Sequence, residues 1–159
     1  MIDRQKRLRL VFWLIAIGAI LLLITYLSGQ VVQESDALSK SVTRQFMDFF
    51  FRGYTREELR RANHLMRKAA HFTLYAALGF SLTGALQYQS RAPKLPAAIL
   101  LGAVFAALDE FHQHFVAGRG PQASDVLLDT CGVATGSLLM LGILLLRAKL
   151  CRSTNMARH

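Results

Sequence analysis

The sequence predicts an all-α membrane protein, a bundle of four transmembrane helices with one further amphipathic helix at the outer membrane surface. Two observations support this class. Four separate stretches are apolar enough to cross a bilayer, and hydrophobic residues make up 53% of the chain, which is high for a soluble domain. Its 159 residues allow one domain, on the rough rule of about 100–200 residues each. We predict a single membrane domain over residues 1–159, with spans at about 10–27, 69–86, 95–114 and 126–146.

The four stretches differ in how many chargeable residues they contain. A helix needs about 20 mostly apolar residues to cross a bilayer, with about 17–25 tolerated. The first carries no charge, whereas the second and fourth each hold one residue that can be charged near neutral pH, His71 and Asp129. The third is uncharged only over residues 95–108. To span, it must continue through Asp109 and Glu110. We therefore expect these two acids to lie within the membrane rather than in a loop.

The orientation follows from the basic residues beside the first span. Arg4, Lys6, Arg7 and Arg9 precede this span directly, whereas the first basic residue beyond it is Lys40. Basic residues concentrate on the cytoplasmic side, and the first helix usually dominates. No A-x-A cleavage pattern follows the span, so we expect a retained helix rather than a signal peptide. Both termini are therefore predicted to be cytoplasmic.

The connection between the first two spans contains an amphipathic helical pattern. Ser35 or Asp36 is suited to cap its start, and Gly53 to end it. Apolar residues recur at helical spacing among polar ones, at Leu38, Val42, Phe46, Phe49 and Phe50. A helix with aromatic residues on one face, joined to membrane spans, is typical of the membrane interface.

Two further helix starts are marked by capping residues. Thr55 and Glu58 match the S/T-x-x-E capping box, and no breaker separates the helix that they open from the second span. We expect this helix to continue unbroken into the membrane. Ser124 is placed to cap the fourth span, and Asp125 suits the positive end of its dipole.

A step of small residues on the fourth span favours close helix packing. Gly132 and Gly136 form a G-x-x-x-G pattern, and small residues also recur on the third span at Ala103, Ala106 and Ala107. Membrane helices approach one another closely through such steps. Packing within one chain is the expected use, and a homo-oligomer is the alternative that the sequence leaves open.

Polar residues gather at one end of the predicted bundle. An up-and-down path places the end of span one, the start of span two, the end of span three and the start of span four on one face, which the predicted orientation makes the outer face. Ionisable groups inside a membrane are costly and are functional-site candidates by default. The residues at these four ends are Ser28 and Gln30; Arg67, Lys68 and His71; Asp109, Glu110 and Gln113; and Asp125 and Asp129.

Helical spacing predicts which of these side chains share a face. Residues four apart lie on the same side of a helix. Each such face should turn inward, because facing lipid would cost roughly 2.5–3.5 kcal/mol per charge. The sets are Arg67 with His71 and Tyr75, Asp109 with Gln113, Glu110 with His114, and Asp125 with Asp129.

Several kinds of site are compatible with this cluster. A structural network would pair Arg67 or Lys68 with the inward carboxylates, Asp109 and Asp129. A metal site would draw on Glu110, His114, His71 and Asp129, but the sequence here is not H-E-x-x-H and one turn supplies at most two convergent ligands. We therefore predict neither a metal nor another cofactor. A Ser–His–Asp nucleophile is not expected, because no serine lies in the strained elbow that it needs. Ion transport is not expected either, because it would require polar groups along a whole span and here they gather at one end.

An anion site fits the entrance better. Gly118, Arg119 and Gly120 lead into a helix start, and both guanidinium groups and helix N-termini suit phosphate or carboxylate. Other basic residues surround the same entrance, namely Arg60, Arg61, Arg67 and Lys68. A desolvated carboxylate beneath them, that of Glu110, would be suited to act as a general acid or base, and the imidazole of His71 is the other candidate.

At these residues the chain resembles the VanZ-like family of small bacterial membrane proteins. The resemblance runs in order through most of residues 10–146. Its motifs are Tyr26-Leu27-Ser28-Gly29-Gln30; Arg67-Lys68-Ala69-Ala70-His71-Phe72 with Tyr75; Asp109-Glu110-Phe111-His112-Gln113-His114-Phe115; Gly118-Arg119; Ser124-Asp125-Val126; and Asp129 with Gly132. The resemblance implies a bacterial cell-envelope protein of the kind linked to resistance against the glycopeptide teicoplanin, and it carries over no catalytic role.

Together these observations predict a protein of the bacterial cytoplasmic membrane with a polar pocket on its outer face. We expect the pocket to bind an anionic envelope ligand, either a lipid-linked phosphate or a glycolipid headgroup, and we expect no nucleic-acid partner. Arg67, Lys68 and Arg119 would hold the anion, and Glu110 and His71 would position it. Asp109, Asp125 and Asp129 would orient the basic groups, with Tyr75 and Gln113 completing the site. The alternative is an enzyme that hydrolyses or transfers such a headgroup.

Overall fold

The computed structural model describes residues 4–29, 32–51, 53–88, 94–116 and 122–156. Within these ranges the protein is all α-helical and contains no strand. Four of its five helices, all except α2, are long and apolar enough to cross a membrane. The helices are α1 (Arg4–Ser28), α2 (Val32–Phe50), α3 (Arg56–Leu86), α4 (Lys94–Gln113) and α5 (Ala123–Met156).

The four long helices run alternately up and down, as the sequence predicted. At one end of the bundle the last residue of α1, Ser28, is hydrogen-bonded to Asp109 near the end of α4. At the other end, Gly84 near the end of α3 lies against the ring of Trp13 near the start of α1. We call the first of these ends, where α1 and α4 finish and α5 begins, the polar end of the bundle.

Helix α3 lies at the centre of the bundle and packs most extensively against α5. Its buried residues Tyr75 and Leu78 form the core together with Val133 of α5. A side chain built at Gly136 of α5 would collide with the backbone carbonyl of Ala76 on α3. The small-residue step predicted on the fourth span therefore packs within one chain.

Several helix boundaries agree with the sequence and three differ. Thr55 and Glu58 form the predicted capping box, and α3 continues from there into the bundle without a break. Helix α2 starts at Val32 and not at Ser35 or Asp36, and it stops at Phe50, short of Gly53. Helix α5 starts at Ala123, because the Asp125 amide already bonds to the carbonyl oxygen of Gln122. Ser124 therefore lies in the first turn and not at the cap.

Candidate functional site

The carboxylate of Asp109 is fixed at the polar end by two hydrogen bonds from different helices. The hydroxyl of Ser28 donates to its Oδ2 over 2.8 Å, and the side-chain amide of Gln113 donates to the same oxygen over 3.1 Å. Asp109, Ser28 and Gln113 are all buried. The hydrogen bond between Ser28 and Asp109 joins α1 to α4. It therefore fixes the positions of these two helices along the bundle axis relative to one another, and it also fixes the orientation of the carboxylate.

A second buried carboxylate, that of Asp129 on α5, lies beside His71 of α3. The Nδ1 atom of His71 is 3.5 Å from Oδ2 of Asp129. Asp129 is only 3% exposed, and its other oxygen, Oδ1, has no hydrogen-bond partner among the described residues. His71 therefore pairs with one oxygen of Asp129, and the other oxygen of this buried carboxylate is left unsatisfied within the described part of the chain.

The third buried carboxylate is that of Glu110 on α4. It is 7% exposed, and it accepts a hydrogen bond from the backbone amide of Gln122, just before α5.

At the rim, Lys68 of α3 donates to Asp125 of α5 over 2.8 Å, with about a third of each side chain exposed. Lys68 therefore reaches a different acid from the two that the structural-network interpretation considered, Asp109 and Asp129.

Three potential metal ligands come together from three helices. One ring nitrogen of His71 and one carboxylate oxygen each of Asp109 and Asp129 lie within 4.8 Å of one another. We call these three residues the acid–histidine cluster. The sequence argument considered His71 and Asp129 together with Glu110 and His114 and predicted no metal. It did not include Asp109, whose distance from the other two depends on how the helices pack.

A cavity lies beside one member of this cluster, Asp109. Its volume is about 130 Å³, and it opens between α1, α3 and α4. The polar lining consists of Thr25, Tyr75, Asp109 and His112, beside apolar residues of α1 and α4. Asp109 is the cluster member among the described residues that line it.

A larger and strongly basic cleft lies where α2 packs on the first turns of α3. Its volume is about 480 Å³. Four basic side chains and one acidic side chain line it together with Leu59, namely Lys40, Arg44, Arg56, Arg60 and Glu57. Glu57 pairs with Arg60 and with Arg61, so part of the positive charge is balanced.

Helix α2 is held against α3 by a buried polar contact. The hydroxyl of Thr43 donates to the side-chain oxygen of Asn63 over 3.2 Å. After α2 ends, the hydroxyl of Tyr54 donates to Asp48 over 2.6 Å, and this hydrogen bond raises the pKa of Tyr54. The basic cleft is therefore formed by two helices with a defined relative position.

Most of the predicted site residues lie at the polar end as expected, with one correction. Glu110 turns inward, but His114 is exposed and its ring packs against Phe115. The reason is that α4 ends at Gln113, so His114 lies in a turn and does not continue the face of Glu110. Arg119 and Gln30 fall outside the described residues.

Sequence reasoning missed the contribution of α2 to the basic surface. Lys40 and Arg44 are four residues apart on α2, as Arg56 and Arg60 are on α3, so each helix presents a basic pair on one face. That spacing was a usable signal. What it could not reveal is that the two pairs face the same cleft, since this depends on how α2 packs on α3.

Comparison with known proteins identifies one relationship. A family model described as VanZ/LLP1 matches residues 12–147, which include all of α3 and α4 and most of α1 and α5. No curated protein and no solved structure matches the chain.

Proposed function

The chain belongs to the VanZ/LLP1 family and is a multi-pass membrane protein, and on this premise we propose that it binds an anionic cell-envelope ligand. The ligand is a lipid-linked phosphate or the headgroup of a glycolipid, and it binds at the polar end of the bundle. This end faces outward from the bacterial cytoplasmic membrane, with both chain termini in the cytoplasm. Such a role agrees with an association of the family with the envelope and with glycopeptide resistance.

The basic cleft is the observation that carries this proposal. Four basic residues against one acidic residue give it a net positive charge, and its volume of about 480 Å³ is within the range of about 300–1,000 Å³ typical of ligand pockets. Guanidinium groups bind phosphate through paired hydrogen bonds, which are stronger than those between neutral groups. An anion with the size of a headgroup therefore matches this cleft in charge and in volume.

One face of α3 links the cleft to the buried acids. Arg56, Arg60, Arg67 and His71 fall within one narrow stripe of this helix, by the 3.6-residue period. Arg60 and Arg67 are separated by about 10 Å along the axis, at about 1.5 Å per residue. In our proposal Arg67, Lys68 and Arg119 bind the part of the ligand closest to the membrane, and Asp125 keeps Lys68 in position.

The test is native mass spectrometry of the full chain in mild detergent, with a polyprenyl phosphate as probe and phosphatidylcholine as the zwitterionic comparison. Arg44→Ala/Arg56→Ala removes two cleft charges, whereas Arg147→Ala/Lys149→Ala removes two exposed charges at the far end of α5. Each lost charge-assisted contact is worth about 1.5–3 kcal/mol, so the cleft variant should lose more than about tenfold in affinity. The control should bind as the wild type does. Equal binding by both variants, or equal binding of both lipids, would refute the proposal.

An enzyme acting on the same headgroup is the second candidate, favoured by the pairing of His71 with Asp129 and by the buried carboxylate of Glu110 at the same end of the bundle. In this mechanism Glu110 or His71 activates the water that attacks the phosphate. The same purified samples distinguish the two functions. Release of inorganic phosphate from the polyprenyl phosphate by the wild type, lost in Glu110→Gln while binding persists, would establish catalysis. Binding without release supports the binding function alone.

A further inference from the structure

We infer that His71, Asp109 and Asp129 bind a divalent transition-metal cation inside the polar end of the bundle. The inference rests on the acid–histidine cluster and not on the basic cleft, so it stands or falls separately from the proposed anion binding. The three side chains come from α3, α4 and α5. A cation bound here would therefore join three of the four long helices.

The donor set is suitable for such an ion. Imidazole nitrogen is a common ligand of zinc and iron, and carboxylate oxygen suits manganese and zinc. One nitrogen and two carboxylate oxygens already lie within 4.8 Å of one another. Three protein ligands leave one or more coordination positions for water or for a bound molecule, as in catalytic zinc sites.

The distance between His71 and Asp129 resembles that between two ligands of one metal. Their Nδ1 and Oδ2 atoms are 3.5 Å apart, whereas a charge-assisted N–H···O bond usually measures about 2.7–2.9 Å. Two ligands bound tetrahedrally at about 2.0–2.1 Å are separated by roughly 3.3 Å. The observed separation is therefore close to that of two atoms sharing an ion.

An independent observation is the pair of unsatisfied polar atoms at the cluster. Oδ1 of Asp129 and the hydroxyl of Tyr75 are both buried without a hydrogen-bond partner among the described residues. The Tyr75 side chain is completely buried, and it lines the same cavity as Asp109. Leaving such groups unsatisfied costs about 1–3 kcal/mol each, and a cation with its bound water would satisfy both.

The surroundings of Asp109 support the same assignment. Ser28 and Gln113 both donate to its Oδ2, so the carboxylate is held in one orientation by neighbours that do not themselves belong to the cluster. Metal-binding carboxylates are oriented in this way by outer-shell hydrogen bonds. Asp109 also lines the cavity of about 130 Å³, so this ligand borders a space that can hold water.

The experiment is metal reconstitution of the untagged full chain in detergent. The protein is stripped with a chelator, incubated with Zn²⁺ or Mn²⁺, desalted and analysed for bound metal, and its affinity is then measured by calorimetry. We expect about one equivalent of one of these ions in the wild type. Asp129→Asn should weaken binding by at least about tenfold, and His71→Gln and Asp109→Asn test the other two ligands should that variant not fold.

The control is Asp48→Asn, which removes an exposed carboxylate on α2 that lies outside the cluster. It should retain the metal with wild-type affinity. The proposal is overturned if the reconstituted wild type holds no metal above a tenth of an equivalent. It is equally overturned if folded cluster variants keep the same metal and affinity as the wild type, since the ion would then be bound elsewhere.

Discussion

At the residue scale, the buried acids of the polar end differ in how completely their hydrogen bonds are satisfied. Asp109 receives two donors on one oxygen, whereas Asp129 has a partner on one oxygen and none among the described residues on the other. Buried polar groups in folded proteins are nearly always satisfied, so an exception needs an explanation. Asp109 is thus oriented by its neighbours, while Asp129 retains the capacity to bind something further.

The contact between Ser28 and Asp109 allows a prediction about stability. Ser28→Ala removes a buried donor from a buried carboxylate, and the loss should cost about 1–3 kcal/mol because the charge keeps its desolvation penalty. Thermal unfolding in detergent measures the effect as a lower midpoint. Ser124→Ala is the control, since Ser124 is exposed and should be nearly neutral. Equal midpoints for both variants would show that the contact does not stabilise the fold.

At the scale of elements, the contact between α3 and α5 determines which residues meet at the polar end. Gly79 of α3 lies against the backbone of Val133, and Gly136 of α5 lies against the carbonyl of Ala76. Nearby, the hydroxyl of Ser137 donates to the carbonyl of Gly79 over 3.1 Å. Because glycine has no side chain, the backbones of α3 and α5 approach closely at these positions. This packing places His71 of α3 beside Asp129 of α5.

Substitution of the two α5 glycines should separate packing from helix propensity. Gly136→Ala places a methyl group against the Ala76 carbonyl and should lower the unfolding midpoint, because backbone atoms cannot move aside without shifting a helix. Gly142→Ala introduces the same methyl group at a position where no other atom of the described residues lies within 4 Å. This control should be neutral or stabilising by up to about 1 kcal/mol, from helix propensity. A neutral Gly136→Ala would contradict the close packing.

The location of helix α2 at the membrane interface is a prediction. Phe49 is 81% exposed and Phe50 is 62% exposed, although both are large and apolar. Exposure of this kind on an amphipathic helix beside membrane spans agrees with insertion into the membrane interface. The buried contact between Thr43 and Asn63 shows how α2 is held on α3 while this aromatic surface remains uncovered.

At the scale of the whole molecule, the bundle separates a polar end from an apolar exterior. The long helices expose large apolar side chains such as Leu22, Leu100 and Leu139, as expected for surfaces that contact lipid. The buried charges lie at the end where α1 and α4 finish. Which side of the membrane this end faces is predicted from the basic residues that precede the first span.

Cysteine labelling tests that orientation. In the Cys131→Ala variant, the exposed Cys151 near the C-terminus should resist a membrane-impermeant maleimide in intact spheroplasts and react once the membrane is permeabilised. Ser41→Cys on α2, made in a background without either native cysteine, should react in intact spheroplasts because Ser41 is exposed on the predicted outer side. The reverse labelling pattern would invert the topology and place the polar end in the cytoplasm.

The sequence by itself determined the four spans, their alternating direction, the capping box at Thr55 and the end of the bundle where the polar residues gather. These features depend on hydrophobic runs and local spacing, which are properties of single segments. Only the tertiary structure decided that His71 meets Asp129, that Lys68 meets Asp125 and that Asp109 completes a cluster with the first pair. Such contacts depend on the rotation and depth of each helix relative to its neighbours. Those are set by close approaches such as that of Gly136 to Ala76, which no single segment encodes.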